Sequence, residues 1–292
     1  MRTNVPATLP AGYRIGRMTR DEAGLLDTWV AEEGWNPGLS DIATAWACDP
    51  DAFIALRHGN ECVGGGAIVA YGQDAGFMGL FIMRADVRRQ GLGRVLWHER
   101  LRRLRARLKP GAPIGMDGVF EMTPFYEAGG FTYLYRDLRF QGDAAGTLDP
   151  DAVPLDRVPS AMVDEYDAAV SGIRRPAFMR AWTTQPNGQG YAILRGDALT
   201  GYGFRRPCRS GHKIGPLYAD DAATAERLLG SLLSGIPGEP VSLDVPEPNA
   251  AALGIMKDLS WQQSFGCARM VNGTAAEMKV AFVYGVTSFE FG

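Results

Sequence analysis

The sequence predicts an α+β fold, a mixed α/β sheet flanked by helices, laid down twice in tandem. Three observations carry this reading. Residues 77–107 read as a short apolar strand, an arginine- and glycine-bearing turn, and a helix. On either side of that stretch, short apolar runs alternate with glycine- and asparagine-containing turns, the pattern of paired strands. The second half then repeats the order of the first: FIALRHGNECVGGG from Phe53 is echoed by YAILRGDALTGYG from Tyr191, and PIGMDGV from Pro113 by PVSLDVP from Pro240. The 292 residues leave room for two units of about 100–150 residues each, and a hydrophobic content of 46% is enough to give each a packed core. The expected division is a first domain over 1–141, a linker over 142–156 and a second domain over 157–292.

Taken in order, residues 13–18 alternate weakly and predict a first strand. Thr19 with Glu22 forms a capping-box pattern, so a helix starts there and turns Ala23, Leu25, Leu26, Trp29 and Val30 inward. It ends near Gly34, in a loop that holds Glu32, Glu33 and Trp35. Such a loop either plugs a core edge or presents carboxylates beside an aromatic that desolvates them. A second helix runs over about 40–48, with Ser40 and Asp41 as cap candidates. Residues 53–56 and 62–71 predict strands around an exposed turn at His58. Gly64, Gly65 and Gly66 lie inside the second of these and predict a bulge. After the helix of 94–107, residues 113–119 predict a strand, Tyr126 falls on a short helix ending at Gly129-Gly130, and residues 131–140 alternate as another strand. Residues 142–156, rich in glycine, proline and aspartate, predict the linker.

The turn between the strand ending at Met83 and the following helix has a definite chemistry. A helix start leaves backbone N–H groups without partners and carries positive potential, so it attracts anions. Gly91 and Gly93 let a ligand approach the backbone, and Arg88, Arg89 and Arg94 add charge. No Gly-Lys-Ser/Thr follows, which excludes a P-loop, and the dinucleotide fingerprint lacks its third glycine and its acidic residue. Ordinary turn chemistry also produces a glycine pair.

The run Arg89-Gln90-Gly91-Leu92-Gly93, with Arg88 or Arg89 first, resembles the Gln/Arg-x-x-Gly-x-Gly/Ala signature of the GNAT acetyltransferases. The run from Phe125 to Phe131 is similar to their second hallmark, Tyr-x-x-x-Gly-Phe, with Tyr126 at its head. The resemblance spans about residues 10–140. It implies that Arg88, Arg89, Gln90, Gly91, Leu92, Gly93 and Arg94 hold the pyrophosphate of acetyl-coenzyme A. It further implies that backbone N–H groups of Phe81, Ile82 and Met83 polarise the thioester carbonyl, and that Tyr126 protonates the departing thiolate. A phenol is chemically suited to that task, having a pKa near that of the thiol it serves; the alternative for Tyr126 is a core tyrosine beside Phe125. The base is left open between Glu33 and Asp117, and Asp117 is also readable as structural because Asp244 stands at its place in the second copy.

In that second copy the arginine-glycine loop is replaced by Asp220 and Asp221 at the start of a helix over 222–233. Aspartates there complement the helix dipole themselves and repel a pyrophosphate. The whole thus resembles tandem GNAT proteins with a degenerate C-terminal domain, expected here to shape the substrate pocket. Residues 201–213, with Arg206, His212 and Lys213 among glycines and aromatics, read either as a solvated hairpin or, with Trp35, as acceptor-binding residues for a substrate bearing a carboxylate or phosphate.

The net charge of −3 excludes a whole-protein attraction to nucleic acid or anionic membrane. The basic row Arg100, Arg102, Arg103, Arg105, Arg107 and Lys109 reads as a solvated helix face, one member of which could reach the cofactor's 3′-phosphate. Cys48, Cys62, Cys208 and Cys267 are scattered and read as reduced thiols of a cytoplasmic protein, and three dispersed histidines argue against a metal site. The amino-terminal residues lack a leader's apolar core, and no run approaches a membrane span. The expected partner is a small-molecule amine, with the protein a monomer or homodimer. The expected activity is acetyl-coenzyme A-dependent N-acetylation; a non-catalytic acetyl-coenzyme A sensor and a protein N-terminal or lysine acetyltransferase are the alternatives.

Overall fold

The computed structural model describes residues 9–292; residues 1–8, part of the stretch read above for leader character, lie outside the described residues. The first half runs β1 (Tyr13–Arg17), α1 (Arg20–Glu32), α2 (Asp41–Cys48), β2 (Phe53–His58), β3 (Glu61–Tyr71), β4 (Ala75–Met83), α3 (Leu92–Arg105), β5 (Ile114–Gly118), α4 (Thr123–Ala128) and β6 (Thr132–Asp143). The second runs β7 (Val153–Pro154), α5 (Ser160–Ser171), α6 (Pro176–Thr183), β8 (Gln189–Arg195), β9 (Ala198–Pro207), β10 (His212–Ala219), α7 (Ala222–Leu233), β11 (Pro240–Pro246), α8 (Ala250–Asp258), β12 (Gln262–Asn272) and β13 (Val283–Gly285). Thr19 and Glu22 form the expected capping box on α1. Leu25, expected inward, is exposed, because Ala23, Leu26 and Val30 define the buried stripe.

The thirteen strands among the described residues form one continuous sheet in the order β1-β2-β3-β4-β5-β12-β6-β11-β10-β9-β8-β7, with β13 also paired to β10. The two halves exchange strands: β12 of the second lies between β5 and β6 of the first, and β6 in turn pairs with β11. Charge fixes this register. Arg269 lies directly opposite Asp117 across β12 and β5, and Arg139 directly opposite Asp244 across β6 and β11. Both are bidentate pairs, and a slip of one residue would turn each charge to the other face of the sheet. Three cores flank the sheet. One lies around Leu96, Trp97 and Leu104 of α3, and one around Leu228 and Leu232 of α7. The third spans both halves and joins α1, α2, α5 and α6 to Val286, Phe289 and Phe291.

Candidate active site

Parallel pairing of β4 with β5 is confined to Gly76 and Phe77. Beyond it the two strands part, and a cavity of about 380 Å³ opens between them. The register of β3 against β4 shifts between Gly65 and Ala67, so the bulge expected among the β3 glycines lies opposite them, in β4. Its centre is Leu80, held at a φ of +52°, a conformation that costs a non-glycine residue about 1 kcal/mol or more. Such a bulge interrupts the ladder and leaves Leu80 and Phe81, both of which line the opening, outside the β3–β4 register.

At the end of β4 the chain turns into α3 through Arg89 at a φ of +63° and Gly91 at +79°. Gly91 is the N-cap and no side chain caps the helix. Among the described residues the amides of Leu92 and Gly93 therefore have no acceptor. Arg88 braces the turn: its Nε donates to the Met83 carbonyl at 2.7 Å, and its other end pairs with Glu33 at the cavity mouth. Arg89 and Arg94 line the opening, and Arg94 lies 6.0 Å from the centroid of the Phe125 ring. An uncapped helix start flanked by two arginines suits a pyrophosphate.

Tyr126 enters the cavity from α4. Its ring is buried beside Phe125 and Trp97, and a side chain at residue 118 would overlap it, so Gly118 makes its place. Burial pushes the phenol up to about 12, opposed by the nearby Arg100 guanidinium. The hydroxyl has no hydrogen-bond partner among the described residues and is free to serve a ligand.

Arg100 corrects the expectation of a wholly solvated basic face. It is fully buried beneath the bulge, donates to the Ala67 and Gly79 carbonyls at 2.6 Å each, and lies 5.1 Å from the centroid of the Phe81 ring. Burial pulls it down to about 9. The spacing was readable, since Arg100 stands four residues from both Leu96 and Leu104, on the buried stripe. It places positive potential directly behind the part of β4 that lines the cavity.

Of the other expected residues, Phe81, Ile82, Met83, Arg88, Arg89, Gly93, Arg94, Glu33, Trp35, Asp117 and Tyr126 all line this one cavity. Gln90 instead bonds the Asp86 carbonyl, Gly91 caps the helix and Leu92 is buried. Asp117 is held by Arg269 at 2.7 and 2.8 Å, and burial together with the Asp137 carboxylate pushes it well above the usual carboxylate range, against the opposing pull of Arg269. Arg206, His212 and Lys213 lie outside the cavity. The supposed loop of 201–213 is mostly strand, with Arg206 and Lys213 opposite each other on β9 and β10. Arg206 is buried on Asp41 at 2.7 and 3.0 Å, Lys213 is buried 3.9 Å from Asp244, and His212 meets Glu239 at 2.8 Å. Arg139, Phe265, Cys267, Phe289 and Glu290 line the cavity without having been expected. They reach it through the strand exchange and the carboxy-terminal segment, both long-range effects.

The equivalent opening of the second half is closed. β10 and β11 pair in parallel only over His212–Ile214. Where they part, β13 fills the gap, bonded to β10 and followed by a Val286 amide that donates to the Asp244 backbone carbonyl. At the start of α7, Asp221 accepts from the Thr224 amide at 2.8 Å, so that helix is capped by its own aspartate.

A splayed strand pair, a bulge and an uncapped glycine-bearing helix start define an acyltransferase of the GNAT type. The GNAT acetyltransferase family model matches residues 20–131, and a GNAT acetyltransferase domain model matches residues 163–285. The chain belongs to the GNAT acetyltransferases, as a tandem pair whose C-terminal copy is degenerate. It is 25% identical to a holothin acyltransferase from Pseudoalteromonas sp. (strain SANK 73390), over 93% of this chain and 92% of that protein. A Pyrococcus horikoshii structure classed among the acetyltransferases superposes with a TM-score of 0.82 at 22% identity, covering 99% of both chains. A tandem GNAT protein from the clavulanic acid biosynthesis pathway superposes with a TM-score of 0.63 at 14% identity, over 89% of this chain and 98% of that one.

Proposed function

We propose that the protein is an acetyl-coenzyme A-dependent N-acetyltransferase acting on a small-molecule amine, with Tyr126 as general acid. The observation that carries this is the union, in one cavity, of the bulged strand, the uncapped start of α3 and a tyrosine whose hydroxyl is unengaged. Acetyl-coenzyme A supplies the activated acyl group and an anionic handle. The amides of Leu92 and Gly93 with Arg89 and Arg94 hold that handle, and backbone amides at the Leu80 bulge, backed by Arg100, stabilise negative charge on the acyl oxygen. Tyr126 delivers its proton to the departing sulfur. The relative named as a holothin acyltransferase supports a small acceptor, as does the cover that Trp35, Phe265 and Phe289 give the cavity.

Glu33 and Asp117 line the site, but each is held by an arginine; we assign Asp117 to positioning and Glu33 to the cavity mouth. The test is a thermal-shift titration with acetyl-coenzyme A, paired with thiol-release assays of wild type and Tyr126→Phe over a panel of amines. The expected result is an equal melting shift in both proteins and turnover slowed about 10²-fold or more in Tyr126→Phe. Unchanged turnover would remove Tyr126 from the chemistry, and no shift in either protein would remove the cofactor assignment. Equal shifts with no thiol release by wild type for any amine would favour a sensor.

A further inference from the structure

We propose that Glu290 is the carboxylate that receives the acceptor's amine, and that the acceptor is a small aromatic primary amine. The proposal rests on the acetyl-transfer reading above and concerns the acceptor end of the same cavity. The carboxy-terminal segment crosses β4 at Gly79, where an added Cβ would sit on the Glu290 carbonyl oxygen. Glu290 is thereby fixed one residue from the Leu80 bulge. Its side chain is buried and lines the cavity. The Ser288 hydroxyl donates to one carboxylate oxygen at 2.7 Å; the other has no donor among the described residues.

A buried carboxylate is costly unless a cation or several donors compensate it. The other carboxylates lining this cavity are compensated: Glu33 has Arg88 and Asp117 has Arg269. Glu290 has no cation within ion-pair distance among the described residues. Its charge acts from beyond that distance on Cys267 and on two arginines, Arg139 and Arg206, of which Arg206 is spent on Asp41 and the Gly215 carbonyl. Arg139 cannot be its partner, because that guanidinium is spent on Asp244 and the Trp35 carbonyl. It is equally unavailable to an anionic acceptor. An ammonium group of the acceptor completes what Glu290 lacks. Trp35, Phe265 and Phe289 line the same cavity, with the Arg139 guanidinium 5.5 and 5.0 Å from the two phenylalanine centroids, a lining that suits a flat apolar body behind the amine.

The proton step is simple. The acceptor's ammonium gives one proton to the Glu290 carboxylate, leaving a neutral amine whose lone pair forms the C–N bond as the C–S bond breaks; Tyr126 protonates the sulfur, the second N–H proton restores the Tyr126 phenol, and the Glu290 carboxylic acid returns the first proton to solvent. The donor of residue 290 comes from the second half, and β13, seated in that half's closed slot, anchors the segment that carries it.

The test compares wild type, Glu290→Gln and Glu290→Asp. The probes are 2-phenylethylamine, tryptamine and benzylamine, their matched alcohols, and phenylalanine as an aromatic amine that also bears a carboxylate. Calorimetry follows binding without cofactor, and thiol release follows turnover. The expected result is that wild type binds and acetylates one or more of the simple amines in preference to phenylalanine and to the alcohols. Glu290→Gln should then raise the amine's Kd and KM at least 10-fold and lower kcat about 10²-fold, with the melting shift on acetyl-coenzyme A unchanged. Glu290→Asp should regain part of both losses. Amine binding unchanged in Glu290→Gln, preference for phenylalanine or an alcohol, or turnover by wild type of other amines but of none of the three simple ones would each overturn the proposal while leaving acetyl transfer standing. Absence of the cofactor shift in wild type would instead defeat the acetyl-transfer reading itself.

Discussion

Asp41→Ala decides whether the cations of the second half are structural or serve the substrate. Arg206 and Asp41 are both fully buried, joined through Nε–Oδ1 at 2.7 Å and Nη2–Oδ2 at 3.0 Å. The guanidinium lies 4.4 Å from the Trp182 ring centroid and donates once more, to the Gly215 carbonyl. Asp41 also accepts from the Gly38 amide at 2.9 Å and from Gln185 at 3.2 Å. Removing the carboxylate strands a buried cation and two buried donors together. Breaking a buried pair from one side costs about 3–5 kcal/mol. For a chain of this length, with unfolding entropy of about 2 cal/mol/K per residue, that corresponds to a melting temperature lower by about 5–8 °C. Urea unfolding followed by circular dichroism reads the loss, and the double variant Asp41→Leu/Arg206→Met should recover much of it, since no charge is then stranded. A stability loss under 1 kcal/mol, accompanied by a raised acceptor KM, would refute the reasoning and return Arg206 to substrate recognition.

Two further outcomes follow from the same geometry. Gly79→Ala should push the carboxy-terminal segment off β4, lowering thiol release at least 10-fold. Gly93→Ala, whose Cβ would meet only Met83 and Phe81 at 3.5 and 3.6 Å, should be far milder in stability; equal melting temperatures for the two variants would contradict the seating of Glu290. Asp137 supplies a pH signature. Burial pushes its carboxyl up to about 6, against the pull of Arg269. A raised folded value means that the protonated form contributes stability in full below about pH 4 and loses it as the pH climbs through about 6. Asp137→Asn cannot ionise, so its stability relative to wild type should rise by about 1–3 kcal/mol between pH 4 and pH 7, read by urea unfolding across that range; a flat difference would mean that the site is already neutralised.

What was legible in the sequence was local. The capping box at Thr19, the glycine-bearing turn at Gly91 and the placing of Tyr126 on a short helix each depend on a handful of neighbouring residues. The cavity residues contributed by β4 and its following turn were legible for the same reason. What was hidden depends on partners far along the chain. Arg206 and Lys213 look like loop cations until β9 and β10 extend to Pro207 and His212 and bury both. Arg100 looks like one more surface arginine until the bulge supplies carbonyls for it to donate to. Glu290 carries no local pattern at all; its place is set by a crossing over Gly79, more than two hundred residues earlier.

The strand exchange makes the two halves one folding unit, although the sequence repeat suggests two. Without β12, β5 has only the short parallel pairing with β4 to hold it, and residues 114–118 would expose their outer backbone groups. Asp117 and Asp137 would also both lose Arg269. Without β11 and β12, β6 has no neighbouring strand on either side. Each half therefore loses a strand when the other opens, β6 from the first and β12 from the second, and the cost of separation includes buried charges as well as backbone bonds. Urea unfolding should proceed in a single transition, coincident by tryptophan fluorescence and far-ultraviolet circular dichroism, and residues 1–156 expressed alone should be insoluble or fail to give a cooperative transition. Two resolved transitions, or a soluble and cooperatively folded fragment, would mean that β6 can return to β5 and that the exchange is a late docking step; on the pairing seen here, β6 has nowhere else to go.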